Sequence, residues 1–192
     1  EFINYYQPIA DCAHQKIIGF ELLLRWPSDN GFISPEVFIP ITEDMGLISQ
    51  LTERAIDQAL ADYCCWQGLY ENSYVSINLS AIHILQEGLA STLEKLLIKH
   101  QLTADVVRLE ITEGTLLSDK SIALLRLNEL KALGFKLLLD DFGTGFSSLT
   151  YLSKFPIDII KIDQSFIRNL QSNPMNKAII KSIVSLANNL DL

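Results

Sequence analysis

Short apolar runs and longer stretches of helical periodicity alternate along this chain. The apolar runs fall at residues 2–10, 16–26, 74–79, 106–112, 135–141 and 157–162, and each is predicted as a strand. Around Val107, Leu138 and Ile160 the apolar positions are consecutive instead of alternate. That pattern belongs to strands buried on both faces, as in a parallel sheet covered by helices. Apolar residues at helical spacing predict helices over 52–66, 82–98, 121–133 and 177–190. The punctuation agrees: Ser34 before Pro35 and Glu36 reads as a cap and first turn, and Ser80 and Asp119 precede two further helices. Gly134 stands where a left-handed stop is commonly placed. Strand and helix in regular alternation make an α/β protein, either a doubly wound sheet or a (β/α) barrel.

Composition narrows the function. With 192 residues and 48% hydrophobic positions the chain suffices for one domain with a substantial core. A net charge of −8 argues against nucleic acid as a partner, because phosphate backbones are bound by clustered Lys and Arg. A small phosphorylated ligand stays open, since metal ions invert the local field. Cys12, Cys64 and Cys65 make neither a disulfide framework nor a zinc spacing, which fits a reducing cytoplasmic setting. No apolar run reaches the roughly 18 residues of a membrane span, and no signal-peptide pattern is present, so no direct membrane contact is expected. The abrupt ends read as those of a piece cut from something longer, and a parent protein could itself be membrane-anchored.

Neither GxGxxG after the first strand nor GxxxxGK[ST] occurs. The glycines of Asp140-Asp141-Phe142-Gly143-Thr144-Gly145 follow two carboxylates that would repel a phosphate unless metals intervene. This favours the barrel, whose active sites lie at the C-terminal ends of the strands.

Those ends share one chemistry. The second run carries Glu21 and Arg25, the third ends on Asn78, the fourth on Glu110 with Glu113 beyond, the fifth on Asp140 and Asp141, and the sixth holds Lys161 and Asp163. A carboxylate in apolar sequence is costly unless paired or bound to a metal. One such residue is explained by a salt bridge or a cap; five successive strands ending this way point to a metal site. Oxygen donors without Cys or His suit Mg²⁺ or Mn²⁺ instead of zinc. Adjacent Asp140 and Asp141 can reach two ions, and two ions suit in-line attack on a phosphodiester. Lys161 either orients water at the phosphoryl group or serves as a structural partner for Asp163 or Asp141, and Arg25 can hold a phosphate oxygen. His14, His83 and His100 look incidental. Trp26, Phe32 and Phe38 lie near the mouth, with core packing the expected role of Phe38.

The motifs resemble the EAL domain, the cyclic di-GMP phosphodiesterase module of bacterial signalling proteins. The matching segments are Tyr6-Gln7-Pro8-Ile9, Glu21-Leu22-Leu23-Leu24-Arg25-Trp26, Phe38-Ile39-Pro40, Asn78-Leu79-Ser80, Glu110-Ile111-Thr112-Glu113, Asp140 to Ser148, and Lys161-Ile162-Asp163-Gln164-Ser165-Phe166, all in the family order. The resemblance implies a TIM-like (β/α) barrel that hydrolyses cyclic di-GMP to linear pGpG with two Mg²⁺ or Mn²⁺ ions. It makes Glu21, Asn78, Glu110 and Asp140 metal ligands, with Asp141 serving the second ion. Lys161 is similar to the lysine that contacts the attacking water, and Glu113 to the glutamate that steadies the loop 142–148. Gln7, Arg25 and Asp163 fall among the substrate contacts. A homodimer through the region after Asp141 is implied as well. The triplet reads Glu-Leu-Leu in place of Glu-Ala-Leu, apolar for apolar, so little effect is expected. The family continues into two more strands that bear a further glutamate and a glutamine; over 1–192 one EAL-type domain is expected, C-terminally incomplete, with about six of eight strands. The alternative is an inactive EAL-like module that binds cyclic di-GMP or a protein partner. Inactive members usually lose a metal ligand or the loop motif, and neither is lost here.

Overall fold

Every predicted apolar run forms a strand. The computed structural model describes residues 2–143, 152, 154–168 and 170–192. Strands β1 (Ile3–Asp11), β2 (Lys16–Ser28), β4 (Tyr74–Asn78), β5 (Val107–Thr112), β6 (Lys136–Phe142) and β7 (Ile159–Ile162) lie side by side in that order, and a short β3 (Gly31–Ile33) pairs with β2. The β1–β2 pair is an antiparallel hairpin, and β2, β4, β5, β6 and β7 run parallel. The sheet curls as a half-barrel, with β1 and β7 at its two ends.

Eight helices are described: α1 (Pro35–Asp44), α2 (Ile48–Trp66), α3 (Ala81–Leu85), α4 (Leu89–His100), α5 (Glu113–Ser118), α6 (Lys120–Ala132), α7 (Gln164–Ile167) and α8 (Pro174–Asn189). Three of the long helices bury residues at helical spacing: Ala55, Ile56, Ala59, Leu60 and Tyr63 on α2, Leu89, Leu93 and Leu97 on α4, and Ala123, Leu127 and Leu130 on α6. They meet Leu22, Val75, Ile77, Val107, Leu109, Ile111, Leu137 and Leu139 in one core. Each fully buried Leu or Ile there contributes about 1.5–3 kcal/mol. The outer face of the sheet thus supplies the hydrophobic drive, and the inner face is left free to carry charge. None of the described helices is long and apolar enough to cross a membrane.

Four local features depart from the sequence reading. The predicted helix over 82–98 divides into α3 and α4, because Gln86 is extended and Gly88 is left-handed at φ 87°. Helix α2 starts at Ile48, four residues before its apolar periodicity becomes regular. The hairpin direction of β1 was not legible from its apolar run. Lastly, β5 and β6 are buried on both faces as expected, whereas β7, at the end of the described sheet, is half-buried throughout. Two of the three expected side-chain caps and the glycine stop are present: Ser80 Oγ accepts from His83 N–H at 3.2 Å, Asp119 Oδ1 from Ile122 N–H at 3.2 Å, and Gly134 adopts φ 95°. Ser34 precedes α1 without a side-chain cap bond. The three cysteines are free thiols.

Candidate active site

Register explains how residues far apart in sequence meet. Side chains alternate across a strand, and register partners in neighbouring strands share a face. Glu21 pairs with Ser76, Asn78 with Glu110, Thr112 with Asp140, and Leu138 with Ile159, two residues before Lys161. All therefore belong to the inner face, opposite the helices. Near the N-terminal end of that face Gly19 lies under the ring of Tyr74, where an added Cβ would come within 2.6 Å. The Arg108 guanidinium stacks on the same ring, 3.3 Å from its centroid.

Toward the C-terminal ends the face becomes acidic. Lys161 Nζ donates to Glu110 Oε2, to Asp140 Oδ2 at 3.3 Å and to Glu21 Oε2 at 3.5 Å. Asn78 Nδ2 donates to the other Glu21 oxygen at 3.1 Å. The Glu110 carboxylate has 0% exposure, and its second oxygen accepts the Ser76 hydroxyl. Burial pushes the Glu110 pKa up to about 7, with Glu21 adding to the rise and Lys161 and Ser76 opposing it. Burial also works against the Lys161 ammonium, but Glu110, Asp140 and Glu21 outweigh it and hold its pKa above the ordinary lysine value. The lysine charge is the firmer of the two, because three carboxylates sustain it.

Asp141 adopts φ 54°, and the β6–β7 register shifts between Leu139 and Phe142. This bulge inserts one extra residue at the two aspartates and returns Phe142 to the core. Burial raises the Asp141 pKa, and the charges of Asp140 and Asp163 raise it further; its carboxyl hydrogen-bonds that of Asp163. Asp163 also accepts from Ser165 N–H at 2.8 Å and so caps α7. Its side chain has a structural role beside the substrate contact inferred from sequence.

Glu113, at the start of α5, accepts the Gly143 N–H at 3.0 Å and ties the end of β5 to the turn after β6. Gly143 has φ 100°, and a Cβ there would stand 3.0 Å from the Phe166 ring. Residues 144–148 of the loop lie outside the described residues, as do 149–151, 153 and 169 of the region after Asp141 through which a homodimer was expected. Gln7 is directly opposite Glu21 on β1. Arg25 lies further up β2, 5.6 Å from the Tyr5 ring centroid, and donates to Leu24 O at 2.9 Å. The inner face thus brings Gln7, Glu21, Asn78, Glu110, Asp140 and Lys161 together, with Asp141 and Asp163 beside them. Phe38 is fully buried against Phe2 and Trp26, while Phe32 is exposed beside Tyr5. His14 pairs with Asp11, His100 with Asp57, and His83 is buried at α3. Ser76 was missed from sequence; a hydroxyl two residues before Asn78 in an apolar strand was its signal.

The donor chemistry fits a hard cation. It consists of carboxylates and one amide oxygen, and the carboxylates already gather round a positive charge. The Asp141–Asp163 contact likewise calls for a proton or a cation. Among the described residues no three acidic, His or Cys groups converge as a preformed metal position; the Lys161 ammonium lies between Glu21, Glu110 and Asp140.

Comparison with known proteins extends this picture. The EAL domain family model matches residues 1–192. An uncharacterised signalling protein of Caulobacter vibrioides is 39% identical over the whole chain, and the bifunctional diguanylate cyclase/cyclic di-GMP phosphodiesterase MucR of Pseudomonas aeruginosa is 36% identical. The chain spans 24% and 28% of their respective lengths. The solved MucR phosphodiesterase in complex with c-di-GMP superimposes with a TM-score of 0.93 at 36% identity, covering 100% of this chain and 78% of that one. The EAL enzyme Bd1971, bound to cAMP and cyclic di-GMP, gives 0.94 at 37% identity, covering 100% and 54%.

Proposed function

The chain belongs to the EAL domain family, whose fold is a TIM-like barrel, and we propose that its inner face hydrolyses cyclic di-GMP to linear pGpG with the help of two Mg²⁺ or Mn²⁺ ions. One observation carries this reading: Glu21, Asn78, Glu110, Asp140 and Lys161 meet on one face at the C-terminal ends of parallel strands. Glu21, Asn78, Glu110 and Asp140 would hold one ion, and Asp141 would serve the second. Ions bound there supply charge neutralisation at the phosphodiester and a more acidic water.

The chain's own residues divide the remaining work. Gln7, opposite Glu21, and Arg25, higher on β2, position the ligand; the guanidinium fork can give two N–H donors to one phosphate. Lys161 holds the attacking water by donating to its oxygen. In the step itself that oxygen bonds to phosphorus as the bond to a ribose 3′ oxygen breaks, and the proton released by water ends on the departing oxygen. Glu113, through Gly143, keeps the end of β6 and its two aspartates in place. Asp163 steadies Asp141 from the start of α7. We further read 1–192 as part of one such domain, acting in the cytoplasm and pairing with a second copy beyond Asp141.

The test is hydrolysis of cyclic di-GMP by the protein at its natural length, with Mn²⁺, beside a Glu21→Ala variant. Metal-dependent turnover that collapses in Glu21→Ala is expected. Equal, metal-independent rates in the two proteins would sink the proposal.

A further inference from the structure

Lys161 has one geometric property that orienting a water does not require. Its ammonium touches three carboxylates from three different strands: Glu21 on β2, Glu110 on β5 and Asp140 on β6. Those are three of the four groups read above as ligands of one ion. Only 28% of the lysine side chain is exposed, so the ammonium is drawn into the cluster and does not merely border it. Glu110 is held in this arrangement from its other side, where Ser76 donates to the remaining oxygen. Asn78 does the same for Glu21. Each of these two carboxylates therefore has one oxygen fixed by a neutral donor and the other given to the lysine.

We propose that Lys161 is a built-in rival of the divalent cation, occupying the oxygens of Glu21, Glu110 and Asp140 so that an ion enters only by displacing the ammonium. The inference rests on the reading of the acidic cluster as a metal site. Two cations cannot share the same carboxylate oxygens at contact distance, and their mutual repulsion in a partly buried site is large compared with thermal energy. Metal binding is then an exchange of one positive charge for another. Ser76 and Asn78 hold their oxygens through the exchange, so Glu110 and Glu21 are not left without donors when the lysine withdraws. The ammonium would swing toward the open inner face, where the attacking water and the phosphate lie, so one movement loads the ion and aims the lysine. The consequence is that metal affinity without ligand is kept deliberately weak, and a phosphodiester that attracts the displaced ammonium tightens the metal.

The experiment is direct Mn²⁺ binding, followed by electron paramagnetic resonance of the free ion in the absence of cyclic di-GMP, on natural-length wild type, Lys161→Gln and Lys161→Arg. Lys161→Gln removes the rival charge and should bind Mn²⁺ at least about tenfold more tightly than wild type, although it does not turn over. Lys161→Arg keeps the charge and should stay near the wild-type affinity. Equal or weaker binding by Lys161→Gln overturns the proposal. Should Lys161→Gln fail to fold, mass-spectrometric acylation of Lys161 in wild type decides. Saturating Mn²⁺ is expected to raise labelling of its amine several-fold, and unchanged labelling with Mn²⁺ bound overturns the proposal. Absence of Mn²⁺ binding in both wild type and Lys161→Gln overturns the metal reading itself, which separates the two failures.

Discussion

His83 offers a clean pH experiment, because the structure places it where a charge is not tolerated. Its side chain is 1% exposed at α3, and among the described residues neither ring nitrogen has a hydrogen-bond partner; the acid beside it, Glu53, is 3.7 Å away and itself 40% exposed. Burial lowers the pKa from 6.5 to about 4. The folded state therefore binds the proton less readily than the unfolded chain, so stability is complete above the unfolded value and falls as the pH drops toward the folded one. At about pH 5 the unfolded imidazole is almost fully protonated while the folded one is mostly neutral, and linkage gives a loss of about 2 kcal/mol, rising to about 3 kcal/mol below pH 4. The perturbation is His83→Phe. With no hydrogen bond to lose, the variant should stay within about 1 kcal/mol of wild type at neutral pH, the range of a tolerated core swap. Urea unfolding of both proteins at about pH 7.5 and pH 5 isolates the term, since every other titrating group is shared. Wild type should lose about 2 kcal/mol more than the variant between the two conditions. Equal losses would show that the ring finds a proton acceptor in the fold, and the assignment of His83 as a neutral core residue would fail.

Substitutions at two further positions probe the frame of the site. Gly19→Ala would put a Cβ 2.6 Å from the Tyr74 ring and push that ring out of its stack with Arg108, so a loss of about 1–3 kcal/mol in thermal or urea unfolding is expected. Retained stability would mean that Tyr74 swings aside freely. Glu113→Leu removes the acceptor of the Gly143 N–H; unfolding should show a loss of about 1–3 kcal/mol, and cyclic di-GMP hydrolysis should slow more than that loss explains, whereas Glu113→Gln keeps an acceptor and most of both. Unaltered turnover in Glu113→Leu would remove the link between α5 and the end of β6 from the functional account.

The difference between what sequence revealed and what it concealed follows from the range of the forces involved. The strands were legible because period-two and continuous apolar runs record burial directly, and Leu109, Ile111, Leu137 and Leu139 are where their pattern places them. The acidic residues were legible for the converse reason: Glu21, Glu110 and Asp140 violate the apolar pattern in strand after strand. Relations across strands were not legible. That Ser76 grips Glu110, and that Lys161 serves three carboxylates at once, depends on register between β2, β4, β5, β6 and β7, which no local window contains. The bulge at Asp141 is of the same kind, since only pairing with β7 reveals the extra residue and the positive φ that absorbs it. These cross-strand relations also decide the chemistry. A glutamate as buried as Glu110 stays ionised only beside a cation, and either the lysine on β7 or a divalent ion can meet that demand. On the proposed reading, the fold thus fixes a negative site and leaves open which positive charge fills it, the condition under which metal loading responds to the ligand.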